Sequence, residues 1–216
     1  MPLITDLVGP AGRLETLLDE PSSDQQVRAA VVFAHPHPQY GGTMHTKTVY
    51  QGAKALTRTG CAVLRFNFRG VGPSDGEFDR GEGEMEDFKA ALDYMASRYA
   101  GRPLWAAGFS FGAWVALETG AADDRVTVLI GIAPPVVTSV SGMNYTFPNT
   151  LASSKPKFFI QGEADDVCPL EGMWQFYGQL SEPKELVVID GAGHLFEGKT
   201  TEVGEALEDL LSDFHA

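Results

Sequence analysis

Cysteine is nearly absent from this chain of 216 residues, which carries only Cys61 and Cys168. Two thiols cannot make a disulfide framework, so both are expected to be free, Cys61 in the core and Cys168 without an assigned role. Long apolar runs are also missing, and none approaches the roughly 20 residues that a membrane-spanning helix needs. The opening Met1-Pro2-Leu3-Ile4-Thr5-Asp6 lacks the basic-then-apolar pattern of a secretion signal. A cytoplasmic location and no membrane partner are the resulting expectations. Basic charge is scarce: 16 Lys and Arg against 29 Asp and Glu leave a formal charge of -13. Such a surface repels phosphate backbones, which excludes nucleic acid as a natural partner. The acidic residues are scattered over helical faces such as 82–87 and 205–209, and read as a solubility feature.

What is present is a hydrophobic content of 44%, which suits one domain spanning residues 1–216; two domains would each be small. Apolar runs at 29–34, 62–68, 104–108, 126–133, 157–160 and 185–189 read as strands, most of them buried on both faces. Amphipathic stretches at 46–59, 82–99 and 198–215 read as helices. Met85, Phe88, Leu92, Met95 and Tyr99 share one face of the second, and Val203, Leu207, Leu210 and Leu211 point inward from the last. The first 20 or so residues suggest an antiparallel opening hairpin. Alternation of this kind specifies an α/β fold: a mostly parallel sheet with helices on both faces.

Gly108-Phe109-Ser110-Phe111-Gly112 lies directly after an apolar strand and directly before a helix-like stretch at 113–118. A chain with 24 glycines produces such a motif cheaply, so its strand–turn–helix setting carries the weight. A serine lifted out on a strained turn needs small neighbours on both sides. Its hydroxyl is a poor nucleophile at neutral pH and needs a base, which in turn needs a group to orient it. Asp165 and Asp166 follow one later apolar strand and His194 follows another, both at the ends where α/β sheets assemble their sites. Taken singly, Ser110 could be a turn residue, Asp165 or Asp166 a helix cap before Pro169, and His194 a polar loop residue. Together they stand in the order Ser, Asp, His and in the right context, which the single alternatives do not explain. Either aspartate satisfies this argument.

Acyl transfer also needs main-chain N–H donors at the developing oxyanion, one of them from the residue after the nucleophile, Phe111. In Ala34-His35-Pro36-His37-Pro38 the prolines have no N–H, which leaves His35 and His37, and His37 is taken as the second donor. The alternative, that these histidines and His45 pack or bind metal, lacks a carboxylate or cysteine in the segment to complete a ligand set.

These residues resemble a family: small, lidless bacterial α/β-hydrolases of the dienelactone-hydrolase-like branch. The resemblance rests on residues 34–38 with Gly41-Gly42-Thr43-Met44, on Phe66 to Gly76, on Gly108 to Gly112, on Gly162 to Pro169 and on Gly191-Ala192-Gly193-His194. It implies the α/β-hydrolase fold without a separate lid domain, Ser110 as nucleophile, His194 as base, and His37 and Phe111 as oxyanion donors. It also favours Asp165 over Asp166 as the acid. Dienelactone hydrolases proper use cysteine where this chain has Ser110, so their substrates are not carried over. Ser74, in the 69–76 loop, reads as a turn residue. Only about twenty residues, 134–155, separate two strands where related enzymes carry a helical lid. An accessible site suits small carboxylic esters as substrates, with Tyr145, Phe147 and Trp174 as candidate pocket residues and no metal or organic cofactor. Thioesters, lactones and amides use the same parts, and a non-catalytic small-molecule binding protein on this fold would be expected to lack one of the three residues. Oligomeric state is not legible, and neither are roles for Asp166 and His45.

Overall fold

The alternating apolar and amphipathic runs build ten strands and six α-helices among the residues that the computed structural model describes, 3–4, 7–22, 26–136, 142–212 and 214. In chain order these are β1 (Leu3–Ile4), β2 (Val8–Gly9), β3 (Gly12–Arg13), β4 (Thr16–Asp19), β5 (Ala30–Ala34), α1 (Lys47–Arg58), β6 (Ala62–Phe66) and α2 (Glu82–Arg98). There follow β7 (Leu104–Phe109), α3 (Phe111–Ala122), β8 (Val126–Ile132), α4 (Pro148–Ala152), β9 (Lys157–Gly162), α5 (Leu170–Gln179), β10 (Lys184–Ile189) and α6 (Thr200–Ser212). Eight strands form one sheet in the order β1-β4-β6-β5-β7-β8-β9-β10, antiparallel from β1 to β6 and parallel from there on. The expected opening hairpin is the antiparallel β1–β4 pair, with the small β2–β3 ribbon between its strands.

Burial on both faces explains why the central strands read as nearly unbroken apolar runs. Every residue of β5, β6, β7 and β9 is buried. Val32, Leu64, Ala106, Leu129 and Phe159 point to the side covered by α2 and α3, where Phe88, Leu92, Met95 and Val115 meet them. Val31, Val63, Trp105, Ile130 and Ile160 point to the other side, covered by α1 and α6 through Val49, Leu56, Val203, Leu207 and Leu211. Each such side chain, fully buried, contributes about 1.5–3 kcal/mol. Met85 and Tyr99 are only partly buried, at the margin of the α2 stripe. Cys61 is a core residue as expected.

From β5 the chain runs to β6 on one side and then crosses to β7 on the other. This reversal leaves a crevice outside the carboxyl ends of β5 and β7, where neighbouring connections lead to opposite faces. Between β8 and β9 the only helix among the described residues is α4, a single short turn and no lid. No helix among the described residues is long and apolar enough to cross a membrane.

Candidate active site

Ser110 occupies the turn between β7 and α3 with φ 55° and ψ -122°, a conformation costing on the order of 1–3 kcal/mol. The surroundings hold it there: its N–H continues the sheet by donating to Ile132 O at 2.8 Å, and its own carbonyl accepts from the N–H groups of Ala113 and Trp114. The flanking glycines are required by close approach. A Cβ on Gly108 would lie 2.1 Å from Gly112 O, and one on Gly112 would lie 2.4 Å from His35 O. Phe111 and Gly112 open α3, so their N–H groups have no acceptor within the helix.

Three loops converge on this turn. The loop after β10 carries His194, whose Nε2 stands 2.8 Å from Ser110 Oγ. Its Nδ1 stands 2.9 Å from Asp165 Oδ2, in the loop after β9. Two hydrogen bonds fasten these loops together, Ala164 N–H to Ala192 O and Gly191 N–H to the Glu163 side chain at Oε2. Asp165 Oδ1 accepts from the N–H groups of Val167 and Cys168, and Oδ2 accepts from Gln161 Nε2 as well as facing His194. Donors surround both oxygens of this side chain, so Nδ1 of His194 is the donor of the bond to Oδ2, and Nε2 is left to accept from Ser110.

The neighbouring aspartate points elsewhere: Asp166 is exposed and lines the cavity above the turn. Neither residue caps α5, whose N-cap is Pro169 with no side-chain bond. Gln161 was missed by the sequence reading. It is fully buried, and its Nε2 bridges Asp165 Oδ2 and Cys168 O, pinning the acid-bearing loop to the end of β9. Only its place in the apolar run of β9, a polar side chain among buried neighbours, hints at this. Cys168 is buried in the same loop, and burial together with the Asp165 charge pushes its thiol far up from the ordinary value.

Burial separates the histidines after β5. His35 is fully buried, and desolvation lowers it to about 4, so the ring is neutral. Its Nδ1 donates to Pro36 O at 2.6 Å and its Nε2 accepts from Phe68 N–H, tying the end of β5 to the loop beyond β6. His37 is also lowered by burial; its Nδ1 accepts from Gln39 N–H, which places the proton on Nε2. Its ring packs 5.0 Å from that of Phe111, and both residues line the same cavity as Ser110. His45 is exposed and outside that cavity. The three histidines form no metal-ligand cluster; among the described residues the one such group is Asp165, Cys168 and His194, with donor atoms all within 4.8 Å of one another. Ser74 does more than turn the chain, since its buried hydroxyl donates to Asn67 O and accepts from Glu15 N–H.

The cavity has a volume of about 770 Å³ and is walled by Pro36, Tyr40, Phe111, Pro135, Tyr145 and Leu195. Of the three expected pocket aromatics only Tyr145 lines it. Phe147 packs on Phe176 in the core, and Trp174, exposed on α5, meets Tyr177 edge to face. Both misses have one cause: which face of a short helix or loop meets the cavity depends on packing that spacing does not encode.

Among known families, Hydrolase_4, described as serine aminopeptidase S33, matches residues 25–143. A serine hydrolase homologue from Coxiella burnetii is 36% identical, with a TM-score of 0.85 over 98% of this chain and 100% of its own. XC6422 from Xanthomonas campestris, an α/β serine hydrolase without a lid, is 34% identical with a TM-score of 0.85 over 98% of this chain and 93% of its own. Uncharacterized protein RP471 from Rickettsia prowazekii is 36% identical over 96% of this chain and 89% of its own length. With more than half of its length matched and lidless relatives along nearly all of it, the chain belongs to the Hydrolase_4 family and has the lidless fold of the α/β serine hydrolases.

Proposed function

We propose that this hydrolase is a cytoplasmic serine esterase of the dienelactone-hydrolase-like branch, acting as one domain on small carboxylic esters without a cofactor. The observation that carries the reading is the unbroken hydrogen-bonded line from Ser110 Oγ through His194 to Asp165. In this mechanism Nε2 of His194 takes the hydroxyl proton as Ser110 Oγ attacks the ester carbonyl. The N–H groups of His37 and Phe111 stabilise the oxyanion, and Asp165 stabilises the imidazolium. Collapse expels the alcohol, protonated by His194, and leaves an acyl-serine. Water, deprotonated by the same base, then releases the acid. The apolar walls around Tyr145 and Phe111 would hold a short acyl chain.

A second reading, cleavage of an amide next to a free amino group, is favoured by one observation. Asp166 and Glu197 line the cavity and no lysine or arginine among the described residues does, which suits a cationic amine. The test of both is a fluorophosphonate probe applied to the purified protein and to Ser110→Ala, with p-nitrophenyl acetate, butyrate and octanoate and an aminoacyl p-nitroanilide as substrates. Labelling and ester turnover that vanish in Ser110→Ala are expected. Turnover confined to the anilide would replace the first reading by the second, and well-folded wild-type protein that neither labels nor turns over would overturn both.

A further inference from the structure

The cluster of donors behind the proposed base offers more than an acid and a base. We propose that Asp165, Cys168 and His194 form a binding site for a thiophilic divalent cation, Zn²⁺ or Cd²⁺, and that its occupancy switches off the Ser110 centre. Carboxylate, thiolate and imidazole are the donor types that Zn²⁺ prefers. Bonds of about 2.0–2.3 Å in a tetrahedron put donor atoms roughly 3.3–3.8 Å apart. The three donor atoms here lie within 4.8 Å of one another, so shifts of about an ångström close the set. The Cys168 backbone is already tied to the carboxylate, because Cys168 N–H donates to Asp165 Oδ1 and Gln161 Nε2 holds Cys168 O, which keeps the thiol close to Asp165. The buried carboxylate also lowers the cost of bringing positive charge into the site. Cys168 and His194 both line the cavity, which gives the ion a route in and a fourth position open to water.

Binding exchanges the thiol proton for a sulfur–metal bond, and the proton leaves to solvent. An ion on Nδ1 of His194 displaces the bond to Asp165 and leaves the ring proton on Nε2, the nitrogen that faces Ser110 Oγ at 2.8 Å. An ion on Nε2 occupies that place itself. In either case the ring can no longer accept the serine proton, so hydrolysis stops while the ion is bound.

Inhibition rests on the proposed esterase reading, whereas binding does not, and the experiment separates them. The metal-free full-length protein is titrated with Cd²⁺ while the ultraviolet thiolate-to-cadmium charge-transfer band is followed. Zn²⁺ inhibition of p-nitrophenyl butyrate hydrolysis and its relief by EDTA are measured on the same samples, each normalised to its own ion-free rate. One Cd²⁺ per chain, a band that survives Cys61→Ala and vanishes in Cys168→Ala and Cys168→Ser, and a half-inhibiting Zn²⁺ concentration raised about 100-fold in both Cys168 variants are expected. A Cys168-dependent band in protein that hydrolyses no ester supports the site and counts against the esterase reading alone. No band in the wild type, a band that persists without Cys168, or equal Zn²⁺ inhibition in wild type and both Cys168 variants would overturn the proposal.

Discussion

His35 shows how burial becomes a pH dependence. Its ring stays neutral in the folded protein down to about 4, whereas in the unfolded chain it protonates near 6.5. Between these values the unfolded chain binds the extra proton, so the His35 contribution is complete above pH 6.5 and is lost as pH falls toward 4. The whole difference corresponds to about 3 kcal/mol. Urea unfolding of wild type and His35→Gln at about pH 7.5 and about pH 4.5 checks the sign, because the stability gap between them should shrink at the lower pH. Gln161 poses a different question, since it touches no substrate and acts through Asp165. Gln161→Leu removes the bonds to Asp165 Oδ2 and Cys168 O, and also a buried Oε1 that has no partner. A net loss of about 1.5 kcal/mol in holding the acid lowers kcat about 10-fold, with KM unchanged. A lowered melting temperature at wild-type kcat would reduce Gln161 to a structural role.

At the scale of elements, the hydroxyl at residue 110 depends on how closely α3 approaches β5. Gly112→Ala puts a methyl 2.4 Å from His35 O, a clash with backbone that no side chain can relieve. That variant should fold poorly or lose fluorophosphonate labelling, while Gly178→Ala on α5, where a Cβ meets nothing within 4 Å, leaves both intact. Helix α4 depends on one buried carboxylate: Glu118 of α3 accepts from Asn149 N–H, Thr150 N–H and Thr150 Oγ1. Glu118→Ala strands these donors at a cost of about 1–3 kcal/mol each and loosens the segment that brings Tyr145 to the cavity. KM for the butyrate ester should rise more than KM for the acetate. Elements and residues differed in how far sequence exposed them. Strands β5 to β9 were legible because burial on both faces leaves nearly unbroken apolar runs, and the Ser110 turn because its glycines are dictated by local contact. Helix α4 was not, since a single turn is held by a distant glutamate and has no period of its own. Asp165 and Asp166 were indistinguishable to residue-level reasoning for a related reason: adjacent side chains differ only in direction, and direction comes from the loop that Gln161 holds.

For the whole molecule, the charge of -13 and the cavity belong to one electrostatic problem. Asp166 and Glu197 are both exposed at the cavity, no lysine or arginine among the described residues lines it, and burial lowers the pKa of His37 in its wall. A substrate therefore approaches through a negative field that clefts with apolar walls concentrate. The field penalises an anionic acyl chain and is indifferent to a neutral one of similar length, so mono-p-nitrophenyl succinate should be a poorer substrate than p-nitrophenyl butyrate by about 10-fold or more in kcat/KM at low salt. Salt separates field from shape, because screening shortens from roughly 30 Å at about 0.01 M to about 8 Å at about 0.15 M. If the field is the cause, the gap narrows as salt rises and narrows again in Asp166→Asn/Glu197→Gln, with the butyrate rate little changed. A gap that stays constant across salt and persists in the double variant would instead place the discrimination in the walls formed by Tyr40, Tyr145 and Leu195.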